Sequence, residues 1–407
     1  MFCSQLCQHV LVSHKSTIFV QISSKRRNNM RKTLKKVAAL GLAVAMVAGV
    51  VGCGGSGSSA DAVKIGLATP LTGASAQDGK AIQNGVNLAV KMKNEAGGIN
   101  GKTVEVVAED DKGDSSEAAT VANKLAQDDS ILAVIGHFNS SCTLAGAPIY
   151  NNAGVVEISP GSSSAAVTDA GDYTFRVITT DAVQGQYLAD WCVNELGYKN
   201  VAILYENDDY GLGLADVAEE ETGKLGAKTV VKEAYEVGQT DFSTVLTKVA
   251  ASDAEVLIIG GLYNETALIA KQMADNGLGD MQIMGVDAIY SGALIDLGGE
   301  AVDGIKLTAY FSENSDNAKS QEFVTAYQEE YGEVPGTYAA YAYDAALVVM
   351  DAIENAGEDR VAIRDYMSKI EGFEGSTGTA TFDKNGDVIK APLRMEIQDG
   401  KYTIVEK

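Results

Sequence analysis

Short apolar runs alternate with longer amphipathic stretches along most of this chain. The runs read as strands at Val63–Thr69, Val104–Glu109, Ile131–Gly136, Val155–Ser159 and Thr174–Ile178. A second series reads as strands at Val201–Tyr205, Thr229–Tyr235, Val256–Gly261, Gln282–Val286 and Ile305–Tyr310. Between them, helical patterns occupy Ala81–Asn94, Ser115–Gln127, Gln184–Leu196, Ala215–Leu225, Phe242–Ala250 and Glu265–Asn276. Short buried strands alternating with helices form parallel sheets in α/β units. The series change near Thr179–Val183, which predicts two doubly wound (Rossmann-like) lobes. Beyond Phe311, helical stretches at Asn317–Tyr331, Tyr338–Asn355 and Arg360–Lys369 precede short strands around Gly378–Asp383 and Leu393–Ile397. A tail that returns to the first lobe and ends in the second gives more than one crossing between the lobes.

A different pattern precedes these units. From Met30 a basic start (MRKTLKK) leads into an apolar run and then Val50-Val51-Gly52-Cys53. The run is about 16 residues, short of the roughly 20 that span a bilayer, so residues 30–52 read as an export signal. Val-Val-Gly-Cys resembles the bacterial lipoprotein box, which makes Cys53 the lipidated N-terminus of the mature chain. Residues 1–29 carry basic residues and no acid, and read as an over-extended gene model. Residues 53–62, rich in Gly and Ser, form a flexible tether.

The first 52 residues hold eight Lys or Arg and no acid, so their removal takes the formal charge from −23 to −31. Such a surface argues against nucleic acid and against charge-driven binding to an anionic bilayer. Contact with the membrane is expected through the lipid anchor only, on its outer face or in the periplasm. The chain left after the tether, about 345 residues, suits two lobes. Cys142 and Cys192 fall in different units and read as free buried thiols.

His137 is the only histidine after the signal, which excludes a His-based metal cluster and leaves a single imidazole base for a catalytic triad. No Gly-x-Ser-x-Gly elbow, Walker loop or Gly-x-Gly-x-x-Gly after a strand is present. No catalytic residue, cofactor or metal is therefore expected. Asp383–Asp387 lacks the distal Glu of a calcium loop, and Asn385-Gly386 reads as a hairpin turn.

In doubly wound sheets, ligands sit beyond the C-terminal strand ends, near helix N-termini. The strand Ile131–Gly136 runs into a loop and then a helix, placing Ser140 and Ser141 where backbone N–H groups and the helix dipole favour an anion. The strand Val155–Ser159 runs into Pro160-Gly161-Ser162-Ser163-Ser164, a second hydroxyl-rich helix start. Any one of these serines could simply cap a helix; two adjacent loops of this kind point to a pocket.

Several segments together carry a family resemblance: VKIGLATPLTG from Val63, NGVNLAV from Asn84 with GGING from Gly97, Glu109-Asp-Asp, Val134-Ile-Gly-His, Asp208-Asp-Tyr-Gly, Thr240-Asp-Phe-Ser, Tyr343-Asp-Ala-Ala and FDKNGD from Phe382. Their order and spacing resemble the substrate-binding lipoproteins of branched-chain amino acid ABC transporters, the leucine/isoleucine/valine-binding family of type I periplasmic binding proteins. The resemblance implies two lobes, 63–180 plus 312–392 and 181–311 plus 393–407, joined by three hinge segments. It further implies a monomer that clamps a branched-chain or other neutral amino acid and delivers it to the permease subunits.

By the same resemblance, Ser140 and Ser163 bind the ligand carboxylate, the Gly161 carbonyl meets the ammonium, and Asp287, where the family often has Glu, is the ammonium's main partner. Tyr210 closes the pocket and Phe138 forms an apolar wall. Leu262 stands at a position that is commonly aromatic, with Tyr263 one step later, and Asp78 stands where some relatives carry an aromatic. These departures leave open a receptor of the same fold for amides or other small solutes, or a sensory ligand-binding protein.

Overall fold

The computed structural model describes residues 62–405. The proposed leader, the signal segment, Cys53 and all but the last tether residue lie outside the described residues. No helix among the described residues is long and apolar enough to cross a membrane.

The first sheet has five parallel strands: β1 (Val63–Thr69), β2 (Val104–Asp110), β3 (Ile131–Gly136), β4 (Val156–Ser159) and β5 (Thr174–Arg176), in the order β2-β1-β3-β4-β5. Its central strands β1 and β3 are near-continuous buried apolar runs because helices cover both faces. Ile65 and Leu67 of β1 join Ala133 and Ile135 of β3 in one core, which also takes in α1 (Ala76–Glu95). Ala68 and Val134 point the other way, into a second core with α2 (Ser115–Ala126) and Tyr150 of α3 (Ser140–Ala153). The period-two split of side chains thus makes the sheet doubly wound.

The second sheet contains β6 (Asn200–Glu206), β7 (Lys228–Tyr235), β8 (Val256–Gly260), β9 (Gln282–Gly285) and β10 (Lys306–Ala309), all parallel. Its helices are α4 (Asp181–Ala189), α5 (Asp209–Lys224), α6 (Ser243–Ala250), α7 (Tyr263–Asp275) and α8 (Gly292–Gly298). The chain then returns to the first lobe as α9 (Ala318–Tyr331), α10 (Thr337–Ala356), α11 (Arg360–Met367) and the small hairpin β11 (Phe373–Gly375) and β12 (Gly378–Ala380). It ends in the second lobe as β13 (Leu393–Gln398) and β14 (Lys401–Ile404), giving the order β14-β13-β10-β9-β8-β6-β7. β13 pairs antiparallel with β10, Leu307 opposite Met395. Three segments therefore cross between the sheets: after β5, after β10 and before β13.

Differences from the sequence reading fall at the cleft and at the end of the chain. α1 begins at Ala76 and α5 at Asp209, each several residues before its apolar periodicity starts. Those first turns face polar loops and lack a core-facing stripe; Asp208 caps α5 by accepting the Gly211 N–H at 2.8 Å. The helix expected at Gln184–Leu196 is α4 followed by a wider helical turn, Asp190–Glu195. β14 was not anticipated. It follows a two-residue turn in which Asp399 and Gly400 both have positive φ (51° and 68°), the backbone a tight hairpin requires. The turn expected at Asn385-Gly386 is present, with Phe382 bridging to Val388. Cys142 and Cys192 are free and buried.

α10 packs along α1 at backbone distance, and Gly85 makes that approach possible: a Cβ there would lie 2.2 Å from the Ala339 carbonyl oxygen. Gly85→Ala is expected to destabilise the protein by about 1–3 kcal/mol, as overpacking does. An unchanged urea midpoint would show that the two helices can separate without cost.

Candidate functional site

The C-terminal ends of the parallel strands in both sheets converge on one cleft. On the first-lobe side, β3 ends at Gly136, where φ is +138° and a Cβ would stand 2.1 Å from the Ala68 carbonyl oxygen. His137 then turns inward and is fully buried: its Nδ1 lies 2.6 Å from Asp111 Oδ2, and Tyr150 Oη lies 3.4 Å from its Nε2. That pairing anchors the loop and keeps the imidazole out of the cleft. Asn139 precedes α3 but makes no side-chain capping bond, and its Oδ1 has no partner. The start of α3 is thus left without the side-chain acceptor that normally satisfies its N–H groups.

The neighbouring loop after β4 is locked to this one. Ser159 Oγ donates to the His137 carbonyl at 2.6 Å and accepts the Ser162 N–H at 2.9 Å. Ser162 Oγ donates to the Phe138 carbonyl at 3.0 Å. From β5, the buried Arg176 donates Nη1 to the carbonyls of Ser162 (3.1 Å) and Ser164 (2.7 Å), and its Nε pairs with Asp387 at 2.5 Å. Ser159 and Ser162 are therefore committed to building the loop. Ser140 Oγ accepts the Ser164 N–H at 3.3 Å and so joins the two helix starts.

From the second lobe, β6 delivers Glu206, the first turn of α5 delivers Tyr210, and the residue before α7 is Leu262. Asp287 follows β9 and is 1% exposed; its Oδ2 accepts from Tyr341 Oη of α10 at 2.7 Å, a contact across the lobes. Phe138, Asn139, Ser140 and Gly161 meet Glu206, Tyr210, Leu262 and Tyr338 around a tight cavity of about 10 Å³. Phe138 and Tyr338 stack edge to face at 4.7 Å, and only a glycine fits at Gly161, where a Cβ would fall 2.4 Å from the Phe138 ring.

Five of the residues expected from sequence thus line the cavity: Phe138, Ser140, Gly161, Tyr210 and Leu262. Ser163, Asp287, Asp78 and Tyr263 are buried but do not line it. Ser141 is half-buried and also lies off the lining. Glu206, Asn139 and Tyr338 were missed. Glu206 ends a strand read as stopping at Tyr205, and an acid closing an apolar strand at its C-terminal end was the available signal.

The cleft is acidic. None of the ion pairs among the described residues involves Asp78, Asp181, Glu206 or Asp287. Burial pushes Asp287 up to about 6, against hydrogen bonds from Tyr341 and Gln184. Burial also raises Asp181 to about 7, opposed by Ser163 and Arg176. It raises Asp78 to about 8, with Glu265 adding to the effect. Glu206 is held well above the usual carboxylate range by burial and then by Asp208 and Glu265.

The family model described as periplasmic binding protein matches residues 62–401. The chain belongs to the periplasmic binding protein family. This periplasmic binding protein is 33% identical to a Leu/Ile/Val-binding protein homolog of Brucella abortus over 385 residues, covering 93% of this chain and 100% of the relative. It is 30% identical to a leucine-, isoleucine-, valine-, threonine- and alanine-binding protein of Pseudomonas aeruginosa, covering 88% and 95%. Among solved structures, the branched-chain amino acid transporter substrate-binding protein of Streptococcus pneumoniae in complex with isoleucine matches with a TM-score of 0.79 at 32% identity, covering 84% of this chain and 99% of that one. Membership makes the protein an extracytoplasmic solute-binding protein and not an enzyme.

The raised carboxyls predict a pH dependence. In the unfolded chain these groups titrate near 4. The folded cleft holds their protons to higher pH, so the stability they contribute is complete below about pH 4. It is lost as pH rises through about 6 for Asp287, about 7 for Asp181 and about 8 for Asp78. Ligand-free protein is expected to show a denaturation midpoint that falls between about pH 5 and about pH 8.5, and Asp78→Asn should flatten the upper part of that fall. A parallel pH profile in parent and variant would remove Asp78 from the account.

Proposed function

We propose that this protein is the solute receptor of an ABC importer, which captures a branched-chain or other neutral amino acid between its lobes and delivers it to the permease. The observation that carries the reading is the pairing of opposites across one cleft. An uncapped helix start with Ser140 lies on the first lobe's side of the cavity, and Asp287, buried without a cation, follows a strand of the second lobe. An α-amino acid presents a carboxylate and an ammonium on one carbon. Backbone N–H groups at a helix start suit the carboxylate, and a carboxylate without a cation suits the ammonium.

In this reading Ser140 and Ser163 hold the ligand carboxylate, with Ser141 next to them at the helix start. The Gly161 carbonyl and Asp287 hold the ammonium. Phe138, Tyr210, Leu262, Tyr263 and Asp78 surround the side chain. The lobes comprise 63–180 with 312–392 and 181–311 with 393–407, and ligand contacts with both favour the closed arrangement over an open one. The three crossings between the sheets support hinge motion. A receptor for amides or a sensory protein of the same fold is not favoured, because the relatives cited at 30% identity or more are named as amino-acid binders. Residues 30–52 serve as the export signal, Cys53 carries the lipid, and the mature receptor is a monomer.

Titration calorimetry on the chain from Ala60, unfolded and refolded to strip carried-over ligand, should show one-to-one binding of a neutral amino acid. Asp287→Ala should weaken that binding by about 30- to 150-fold, the effect of leaving an ammonium unpaired in a dry site. Binding equal to the parent would displace the ammonium site from Asp287. Cys53→Ala in the full chain should move the protein from the membrane fraction to the soluble extracytoplasmic fraction; retention in the membrane would refute the lipid anchor.

A further inference from the structure

The acids of the cleft fall into two groups. Asp181 feels Asp287 and Asp208 as its carboxylate neighbours, and together with Asp287 it marks the headgroup end. Asp78, Glu206 and Glu265 form the other group: Glu265 acts on Asp78, and both act on Glu206. Tyr338 and Tyr210, both on the cavity wall, feel Asp287, Asp181 and Glu206 alike. In the reading above, a ligand held by its headgroup at Asp287 turns its side chain toward the wall that carries Glu206 and Tyr210.

That end of the cleft holds buried polar atoms without partners. Glu206 is 1% exposed, lines the cavity, and has no partner for Oε1. The Tyr210 hydroxyl, also on the wall and 8% exposed in its residue, has none either. Asp78, 5% exposed, leaves Oδ2 unpartnered. A buried polar group without a partner costs its full desolvation, and an aliphatic side chain would leave Glu206 Oε1 and the Tyr210 hydroxyl on the wall unsatisfied. The apolar contributions, Leu262 and the Phe138–Tyr338 pair, line only part of the wall.

We infer that Glu206 and Tyr210 on the cavity wall, with Asp78 buried near them, form a hydrogen-bonding subsite that selects amino acids whose side chain carries a hydrogen-bonding group over aliphatic side chains of the same shape. The inference rests on the amino-acid reading above and narrows it to polar ligands such as those with a hydroxyl or amide. The asymmetry is physical: a site built to hydrogen-bond a donor rejects the isostere that lacks it far more strongly than an apolar pocket rejects an added hydroxyl.

The test is calorimetric titration of the refolded chain from Ala60 with two matched pairs, threonine against valine and glutamine against methionine, with ornithine to ask whether the donor may carry charge. Threonine and glutamine are expected to bind at least about 10-fold more tightly than their partners. Ornithine binding above methionine would support the subsite with a cationic donor. Valine and methionine binding as tightly as their partners would overturn the subsite while leaving the headgroup reading intact. Failure of every α-amino acid to bind would overturn the headgroup reading itself, and the subsite with it. In Glu206→Leu the threonine preference should fall toward parity; if that variant does not fold, by circular dichroism, Asp78→Leu and the parent's own threonine-to-valine ratio decide.

Discussion

Carboxylates buried without cations are the constraint on which the cleft depends. An isolated ionised carboxylate is costly in a dry interior, and such a group either finds a positive partner or holds its proton. Asp287, Asp181, Asp78 and Glu206 are all shifted upward, with burial as the leading cause in each. A cationic ligand group supplies what the protein withholds. In the proposed reading, binding and protonation are coupled at the same atoms, and affinity for an ammonium is built from a deficit in the folded protein.

Holding that deficit requires a stiff frame. Arg176 gathers the carbonyls of Ser162 and Ser164 and pairs with Asp387 in the segment before β13, so the loop after β4 and that segment share one guanidinium. Ser159 and Ser162 tie that loop to the carbonyls after β3, and the His137–Asp111 pair fixes the turn beneath. On the other side, Tyr341 reaches from α10 to Asp287, so an acid of the second lobe is oriented from the first. β13 and the wider helical turn before β6 are joined by Arg394, which pairs with Glu195 and lies over Trp191. The groups left free to meet a ligand are those the frame does not use.

Much of the fold was legible in sequence because it is periodic. Buried strands such as Ile131–Gly136 declare themselves as apolar runs, and α9 to α11 by their helical spacing, so two doubly wound lobes and the return of the tail could be read directly. The first turns of α1 and α5 were not legible, since they face a polar cleft and carry no apolar stripe. β14 was hidden by its polar face, with only Asp399-Gly400 to mark the turn. At the site, Ser140, Gly161 and Tyr210 were anticipated from strand ends and resemblance, whereas Glu206 and Tyr338 were not: the acid closing β6 is a weak local signal, and Tyr338 reaches the cavity only through the packing of α10 beside Phe138.

The sequence by itself determined the class of architecture, the acidic balance, the export pattern and the two hydroxyl-rich loops, because each is written in near-neighbour patterns of polarity and backbone preference. Only the tertiary structure decided which oxygens are satisfied. Ser162 and Ser140 stand on adjacent loops with the same hydroxyl, yet one is wholly consumed in fixing its loop while the other, although it joins the two helix starts, also lines the cavity. Asp78 and Glu206 lie 128 residues apart in the chain, and folding buries both. Burial and partnership are properties of the whole packed chain, and it is these that turn an ordinary carboxylate into a recognition group.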